Sequence, residues 1–220
     1  MSIKENLIQF KTSLSSYVTL VAVSKTKPNE MIMEAYDAGQ KDFGENYVQE
    51  LVDKHEQLPK DINWHFIGHL QSNKVKFIAP FVYLIHSVDS VKLLEEINKQ
   101  AKKNNRVVNC LLQIYIVQEE TKFGFSFDEC ERFMNSDLFP QLKNIAIVGF
   151  MAMASNTDNE NQIRKEFCSL KEFASKSLIF NNKSCILSFG MSGDYKIAIE
   201  EGSNMVRIGS TLFGQRNYNI

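Results

Sequence analysis

The stretch Thr19-Leu20-Val21-Ala22-Val23-Ser24-Lys25-Thr26-Lys27-Pro28 decides the fold, because an apolar, β-branched run ends abruptly at a lysine. A continuous apolar run of this length is typical of a strand that is buried on both faces. Pro28 and the two residues after it indicate the first turn of a helix. We therefore predict a buried strand, a short turn that carries Lys25, and then a helix.

Lys25 is predicted to lie at the carboxyl edge of this strand. Partial burial against an apolar sheet disfavours the charged form of a lysine, and a neutral amine can form a Schiff base with an aldehyde. A solvated loop lysine is the simpler interpretation, since most lysines are exposed. Lys27 is a second candidate for the same role. The residues alone leave these alternatives open.

The unit of strand and helix repeats along the chain without a Gly/Ser-rich linker. This alternation predicts an α/β protein, a single (β/α)₈ barrel over residues 1–220, with an open doubly wound sheet as the alternative. A helix over 3–17 precedes the first strand, and we expect it to cover the place of a missing eighth outer helix. The strands are predicted at 19–23, 41–44, 64–67, 82–88, 107–117, 145–150, 185–188 and 205–208.

The bulk composition favours small-molecule partners or a second copy of the chain. Its 220 residues suffice for one sizeable core, and a net charge of -1 argues against binding to nucleic acid or to a membrane surface. No apolar run approaches the ~20 residues that span a bilayer, and no signal peptide is recognised, so we expect a cytoplasmic protein. Four widely separated cysteines are expected to be reduced.

Residues that can bind a ligand or take part in catalysis follow several predicted strands at their carboxyl ends, where the active sites of such barrels form. The loops after strands seven and eight, 188–193 and 209–210, are rich in glycine and serine, which favours a phosphate site over two ordinary turns. The residues at strand ends are Lys25 after strand one, Asn46 after strand two, His69 after strand three, Met191 and Ser192 after strand seven, and Gly209 and Ser210 after strand eight.

Arg207 lies inside an apolar strand and therefore needs a partner. An acid such as Glu45 and a functional ligand are both possible partners, and the pattern does not choose between them. His65 and His69 have no third ligand at hand, so no metal site is predicted. His86 is expected to fill or line the barrel. Lys122 is either a second lysine on the functional face or a solvated loop residue.

Five motifs in order resemble the YggS/PROSC family of pyridoxal-phosphate-binding proteins, which share the fold-type III barrel of alanine racemase. Two positions depart from the family pattern: Phe189 stands where methionine is frequent, and Ser210 where threonine is frequent. The motifs are Val21-Ala22-Val23-Ser24-Lys25-Thr26-Lys27-Pro28, Phe43-Gly44-Glu45-Asn46-Tyr47, His65-Phe66-Ile67-Gly68-His69-Leu70-Gln71-Ser72-Asn73-Lys74, Gly190-Met191-Ser192-Gly193-Asp194, and Val206-Arg207-Ile208-Gly209-Ser210 with Phe213-Gly214.

The resemblance implies that Lys25 carries pyridoxal 5'-phosphate as an aldimine and that Arg207 faces the pyridine nitrogen. Asn46 is then expected beside the ring and the backbone of Met191 near the phosphate. The phosphate itself would be held by Ser192, Gly209 and Ser210.

The implied function is cofactor homeostasis without substrate turnover. The implied partners are pyridoxal 5'-phosphate and the apoenzymes that use it, in a monomer or weak homodimer. A fold-type III racemase is the first alternative, although such enzymes add a β-rich domain and a tyrosine from the partner subunit, which we do not expect in a chain that ends at Ile220. A class I aldolase, with Lys25 as the reactive amine and no cofactor, is the second.

Overall fold

A computed structural model describes residues 2–117, 123–177 and 185–214, and in these ranges eight parallel strands close into a barrel in the order of the chain. The barrel prediction is confirmed, and the open sheet is wrong, because the first and last strands pair with each other. The strands are β1 Thr19–Val23, β2 Asp42–Glu45, β3 Asn63–Phe66, β4 Leu84–Val88, β5 Val108–Gln113, β6 Ile145–Met151, β7 Ile186–Ser188 and β8 Met205–Ile208.

Helices surround this barrel, and none in the described ranges is long and apolar enough to cross a membrane. Two short 3₁₀ helices, Ser72–Lys74 and Phe139–Gln141, accompany them. The α-helices are α1 Ile3–Ser13, α2 Asn29–Asp37, α3 Val48–Gln57, α4 Val75–Ile78, α5 Val91–Lys103, α6 Phe127–Met134, α7 Glu160–Lys176, α8 Tyr195–Glu200 and α9 Ser210–Phe213.

The first helix is shorter than predicted and ends at Ser13, because Leu14 adopts an extended backbone. It lies near the end of the barrel's last repeat, where its Asn6 Nδ2 donates to the carbonyl of Leu212 in α9 at 3.2 Å. The expected position of this helix is therefore confirmed, but the repeat after β8 does contain a helix, the four-residue α9. Its brevity explains why the periodicity of the sequence does not reveal it.

The strands are buried on both faces, which explains their nearly continuous apolar sequences. Outward-facing side chains such as Phe43, Trp64 and Phe66 pack under the helices. Inside the barrel, a second apolar cluster contains Val21, Leu84, Leu111, Met151 and Met205.

A buried ion pair ties α3 to the ends of the first two strands. The Lys54 ammonium donates to the carbonyl of Ser24 and to Glu45 Oε1, both at 2.8 Å, and to Glu50 Oε1 at 2.6 Å. Ser24 Oγ also donates to Glu45 Oε1 at 2.6 Å. All three N–H donors of Lys54 are thereby used, which is the condition for burying an ammonium group. We call Ser24, Glu45, Glu50 and Lys54 the clamp.

The clamp also holds a strained turn beside Lys25. Thr26 has a positive φ of 61°, a conformation that a β-branched residue rarely adopts. Its backbone N–H donates to Glu50 Oε1 at 2.6 Å, and Lys27 N–H donates to the carbonyl of Ser24 at 3.0 Å. Such strain persists only where surrounding contacts enforce it. The clamp is therefore the structural reason that Lys25 leaves β1 in a defined direction.

Replacing Lys54 by methionine should lower the free energy of unfolding by about 3 kcal/mol, because the carboxylate of Glu45 stays buried without its cation. Burial already raises the pKa of Glu45 to about 7, against the opposing effects of Lys54 and Ser24. A raised native pKa means that stability from this group is present below the unfolded pKa and is lost as the pH rises through the native one. The deficit in Lys54→Met should therefore be larger at about pH 8 than at about pH 5.

Urea denaturation at the two pH values measures this difference. Lys41→Met removes an exposed partner of Asp61 and should change stability little at either pH. Adding Glu45→Gln to Lys54→Met should recover part of the loss at the higher pH, since the buried charge is gone. A deficit in Lys54→Met that is equal at both pH values would contradict the role assigned to Glu45.

Candidate functional site

A cavity of about 410 Å³ opens at the carboxyl ends of the strands. The structure brings every residue of the predicted site to this one cavity, from loops or strand ends at β1, β2, β7 and β8. The predicted residues that line it are Lys25, Asn46, Met191, Ser192, Arg207, Gly209 and Ser210, joined by Lys27, Gly193, Gly214, Val23, Ile67 and Met153.

The charge of the lining has one sign. Among the described residues, Lys25, Lys27 and Arg207 line the cavity and no carboxylate residue does. Hydroxyl groups of Ser192 and Ser210 add neutral hydrogen-bond donors to the same wall. Converging cations and donors in a cleft attract an anion. The cavity therefore suits a small ligand that carries a phosphate or a carboxylate.

The two lysines of the first loop differ in their surroundings. Lys27 Nζ donates to the carbonyls of Phe213 at 3.1 Å and Gly214 at 3.2 Å, so it binds the carboxyl end of α9. Lys25 is the first residue of the turn that the clamp fixes. The contacts of Lys27 therefore hold the carboxyl end of α9 in place.

Arg207 is buried in β8 and is fixed by three hydrogen bonds. Its Nη1 donates to Ser188 O at 2.7 Å and to Ser188 Oγ at 2.8 Å, and its Nη2 donates to Ala152 O at 3.1 Å. Burial lowers the pKa of Arg207 to about 10, and the nearby Asp194 opposes this effect, so the guanidinium is charged at neutral pH. Glu45, the acid named as a possible partner of Arg207, binds Lys54 and Ser24 instead. The acid that acts on Arg207 is Asp194.

Asn46 presents an acceptor that the protein does not use. Its Oδ1 is buried and has no hydrogen-bond partner. The loop after β3 passes so close to Asn46 that a Cβ on Gly68 would lie 2.4 Å from the backbone carbonyl oxygen of Asn46. Glycine at position 68 thus permits the approach, and an unpaired buried acceptor is costly unless a ligand satisfies it.

The loop after β7 is shaped by a second glycine. Gly190 has a φ of +96°, and a Cβ there would meet the Cβ of Ala198 at 2.6 Å. Met191 N–H then donates to Asp194 Oδ1 at 2.5 Å, which closes the turn. A Cβ on Gly193 would meet nothing within 4 Å, so the cavity is open on this side.

Other candidates from the sequence lie outside the cavity lining. His69 Nδ1 lies 3.0 Å from Asp89 Oδ2 and its ring stacks on Phe123, while His65 and His86 are buried inside the barrel. No group of three possible metal ligands occurs in the described part of the chain. Lys122 lies outside the described residues.

Sequence reasoning missed the clamp and the hydrogen-bonded partners of the two buried histidines. The four-residue spacing of Glu50 and Lys54 was a visible signal of a helical ion pair. Nothing in the sequence indicates that this pair would be buried under β1.

Comparison with known proteins places these features in a family. Residues 1–217 match the family described as alanine racemase, N-terminal domain. The pyridoxal phosphate homeostasis protein of Aquifex aeolicus is 42% identical, with 90% of this chain and 87% of that protein covered. The human protein of the same name is 41% identical, with 90% and 77% covered.

Solved structures agree with this assignment. PipY of Synechococcus elongatus, solved with pyridoxal phosphate bound, has a TM-score of 0.87 and 34% identity, and the match covers 97% of this chain and 100% of that one. An alanine racemase of Clostridium difficile has a TM-score of 0.79 over 99% of this chain, but at 16% identity and 58% coverage of the enzyme it shows the fold alone. The chain therefore belongs to the alanine racemase N-terminal domain family and, within it, to the YggS/PROSC group of pyridoxal phosphate homeostasis proteins.

Proposed function

We propose that this chain binds pyridoxal 5'-phosphate in the cavity and serves the supply of the cofactor rather than turnover of a substrate. The observation that carries the proposal is the convergence of all seven predicted residues on one cation-lined cavity. The names of relatives at about 40% identity and the cofactor bound to PipY support it. The extent of the cofactor-binding domain over residues 1–220, a cytoplasmic location, apoenzyme partners and a monomer or weak homodimer belong to the same proposal.

The residues present fit this cofactor. Its phosphate suits the wall formed by Ser192, Gly209 and Ser210, since no carboxylate lines the cavity in the ranges that the structure describes. The unpaired Oδ1 of Asn46 is an acceptor available to a ring substituent that donates. Arg207 would face the ring nitrogen, and the backbone of Met191 would lie near the phosphate. Lys25 Nζ would hold the aldehyde carbon.

When bound, the cofactor supplies an aldehyde that condenses with amines and a ring that accepts electrons. Arg207 limits the second property, because a permanent cation disfavours a proton on a neighbouring nitrogen, and an unprotonated ring is the poorer electron acceptor. The three hydrogen bonds of Arg207 hold that cation in place. The chain's own residues therefore favour holding the cofactor over carbanion chemistry.

A racemase needs an acid or base on each face of the reacting carbon. Lys25 could serve one face. Tyr47 and His69 do not line the cavity, and Lys122 is outside the described residues. Besides Lys25, the amine that lines the cavity in the described part of the chain is Lys27, whose ammonium is bound to the carboxyl end of α9. No carboxylate, histidine or tyrosine of the described residues lines the cavity. An aldolase would use Lys25 without a cofactor, and colour of the loaded protein distinguishes that alternative.

Lys25→Ala should abolish covalent attachment of the cofactor while the free energy of unfolding changes by less than about 1 kcal/mol, because a lysine in a turn contributes little to the core. Protein incubated with pyridoxal 5'-phosphate should absorb visible light, and borohydride should bleach it and leave a pyridoxyl group on Lys25 that peptide mass spectrometry locates. Lys41→Ala, an exposed lysine outside the cavity, is the matched control and should keep full labelling.

Full labelling of Lys27 or Lys122 in Lys25→Ala would assign the attachment to that residue instead. Wild-type protein that never becomes coloured but condenses a sugar phosphate through Lys25 would establish the aldolase.

Free amino acids should exchange their α-hydrogen for solvent deuterium no faster with the loaded protein than with free cofactor. Arg207 weakens the electron-accepting ring, and the other amine that lines the cavity among the described residues, Lys27, is bound to the end of α9. Proton NMR of each amino acid in D₂O measures the rate. Rapid exchange of any one amino acid that disappears in Lys25→Ala would show that the protein is an enzyme.

A further inference from the structure

A continuous line of hydrogen bonds crosses the interior of the barrel and ends at Arg207. Asp42 Oδ1 lies 3.0 Å from His65 Nε2, and His65 Nδ1 lies 2.8 Å from His86 Nε2. His86 Nδ1 lies 3.0 Å from Ser188 Oγ, which accepts from Arg207 Nη1 at 2.8 Å. We call these five residues the relay. Their side chains come from strands β2, β3, β4, β7 and β8.

The two ends of the relay determine where its protons lie. An ionised Asp42 only accepts, so His65 Nε2 carries a hydrogen, and Arg207 only donates, so Ser188 Oγ accepts from it. In a neutral His65 the Nδ1 atom is then an acceptor, which requires a hydrogen on His86 Nε2. His86 Nδ1 accepts in turn from the Ser188 hydroxyl. Every donor therefore points from Arg207 towards Asp42.

The same five groups can hold exactly one arrangement with a further proton on His65. Both nitrogens of His65 then donate, one to Asp42 and one to His86 Nε2. His86 must carry its single hydrogen on Nδ1 and donate to Ser188 Oγ. The Ser188 hydroxyl then accepts from His86 and Arg207 together, and its own hydrogen turns away from His86. One proton taken from solvent thus reverses the two middle hydrogen bonds, His65–His86 and His86–Ser188. His65 still donates to Asp42, and Arg207 still donates to Ser188.

We propose that Asp42, His65, His86 and Ser188 are positioning residues for Arg207 and that they take up this proton as one unit. Asp42 is the first residue of β2, at the end of the barrel opposite the cavity. The protonation of His65 would therefore alter the partner that orients Arg207 without any change in the cavity lining. The effect of the relay on the cofactor's ring nitrogen rests on the proposed function; the proton uptake by the relay does not.

Charged and polar groups approach His65 and its partner Asp42 from several elements. The Asp42 carboxylate faces it from β2, and the Tyr83 ring lies with its centroid 5.3 Å from that of His65. Asn63 Nδ2 donates to the same Asp42 Oδ1 at 3.1 Å, and Lys11 acts on Asp42 from α1. Of the two buried histidines in the relay, His65 is the one that contacts a carboxylate.

The groups around His86 disfavour its charged form. Burial, His65 and Arg207 lower the pKa of His86 well below its usual value. Asp194, in the loop after β7, is a carboxylate that acts electrostatically on Arg207. Ser188 contributes a neutral hydroxyl. His86 therefore stays neutral and responds to His65 by changing which nitrogen bears hydrogen.

Histidine-selective ¹⁵N NMR of the protein without cofactor tests the relay directly, since the chain has 4 histidines. At about pH 8, His65 and His86 should both carry hydrogen on Nε2 alone, as the donor accounting requires. On acidification, His65 should gain its second hydrogen at the same pH at which His86 moves its hydrogen from Nε2 to Nδ1. A His86 that carries hydrogen on Nδ1 at about pH 8, or two separate transitions, would overturn the proposal.

Asp42→Asn retains an oxygen that accepts from His65 but removes the charge. It should lower the pH of the joint transition, because the group that contacts His65 loses its negative charge. Asp89→Asn is the matched control, because it alters the partner of His69 outside the relay and should leave the transition unchanged. An unshifted transition in Asp42→Asn, with circular dichroism showing a native fold, would overturn the assignment of Asp42.

A second measurement uses protein loaded with pyridoxal 5'-phosphate. Asp42→Asn should shift the pH dependence of the bound chromophore's visible absorbance in the same direction as the histidine transition, and Asp89→Asn should not. If the cofactor does not bind while the histidines behave as expected, the proposed function fails and the relay stands. If the cofactor binds but its absorbance ignores the histidine transition, the relay does not position Arg207 and this inference fails.

Discussion

The pairing of β1 with β8 is the constraint on which the site depends. Val21 lies opposite Arg207 in this pair, so residues from the two ends of the chain become neighbours. Closure satisfies the backbone groups that an edge strand would expose. It also places the turn after β1 and the loop after β8 around the same cavity, which is why Lys25, Gly209 and Ser210 line it together. A barrel that opened here would lose the site before it lost most of its core.

Closure alone would not orient Lys25, because the turn that carries it is strained at Thr26. The clamp supplies the missing restraint by holding the Ser24 carbonyl, the Thr26 N–H and the carboxyl end of β2 through one ammonium and two carboxylates. Burying these charges has a large desolvation cost, which the hydrogen bonds of the Lys54 ammonium and of Glu45 Oε1 offset only in part, because Glu45 Oε2 is buried without a hydrogen-bond partner among the described residues. The protein thus fixes the carboxyl end of β1, which leads into Lys25, from outside the barrel, through α3.

The interior of the barrel shows a second polar arrangement among apolar layers. Val21, Leu84 and Met205 pack as expected for a filled barrel. His65, His86 and Ser188 are nevertheless fully buried beside them, and each finds its partner within the relay. An apolar interior would fill the same space at lower cost, so the polar line is best understood through what it contacts. It supports Arg207, the cation that faces the cavity.

The sequence by itself determined the eight strands, the buried strand before Lys25 and seven of the residues that line the cavity, because apolar periodicity and strand-end position are local properties. It did not determine the partner of Arg207, the role of Lys27 or the short helix α9. It also did not reveal the clamp and the relay, because the partners of Lys54, His65 and His86 cannot be read from their positions in the sequence. These depend on which side chains meet across strands that are distant in sequence, and only the closed sheet, with its register, decides those meetings.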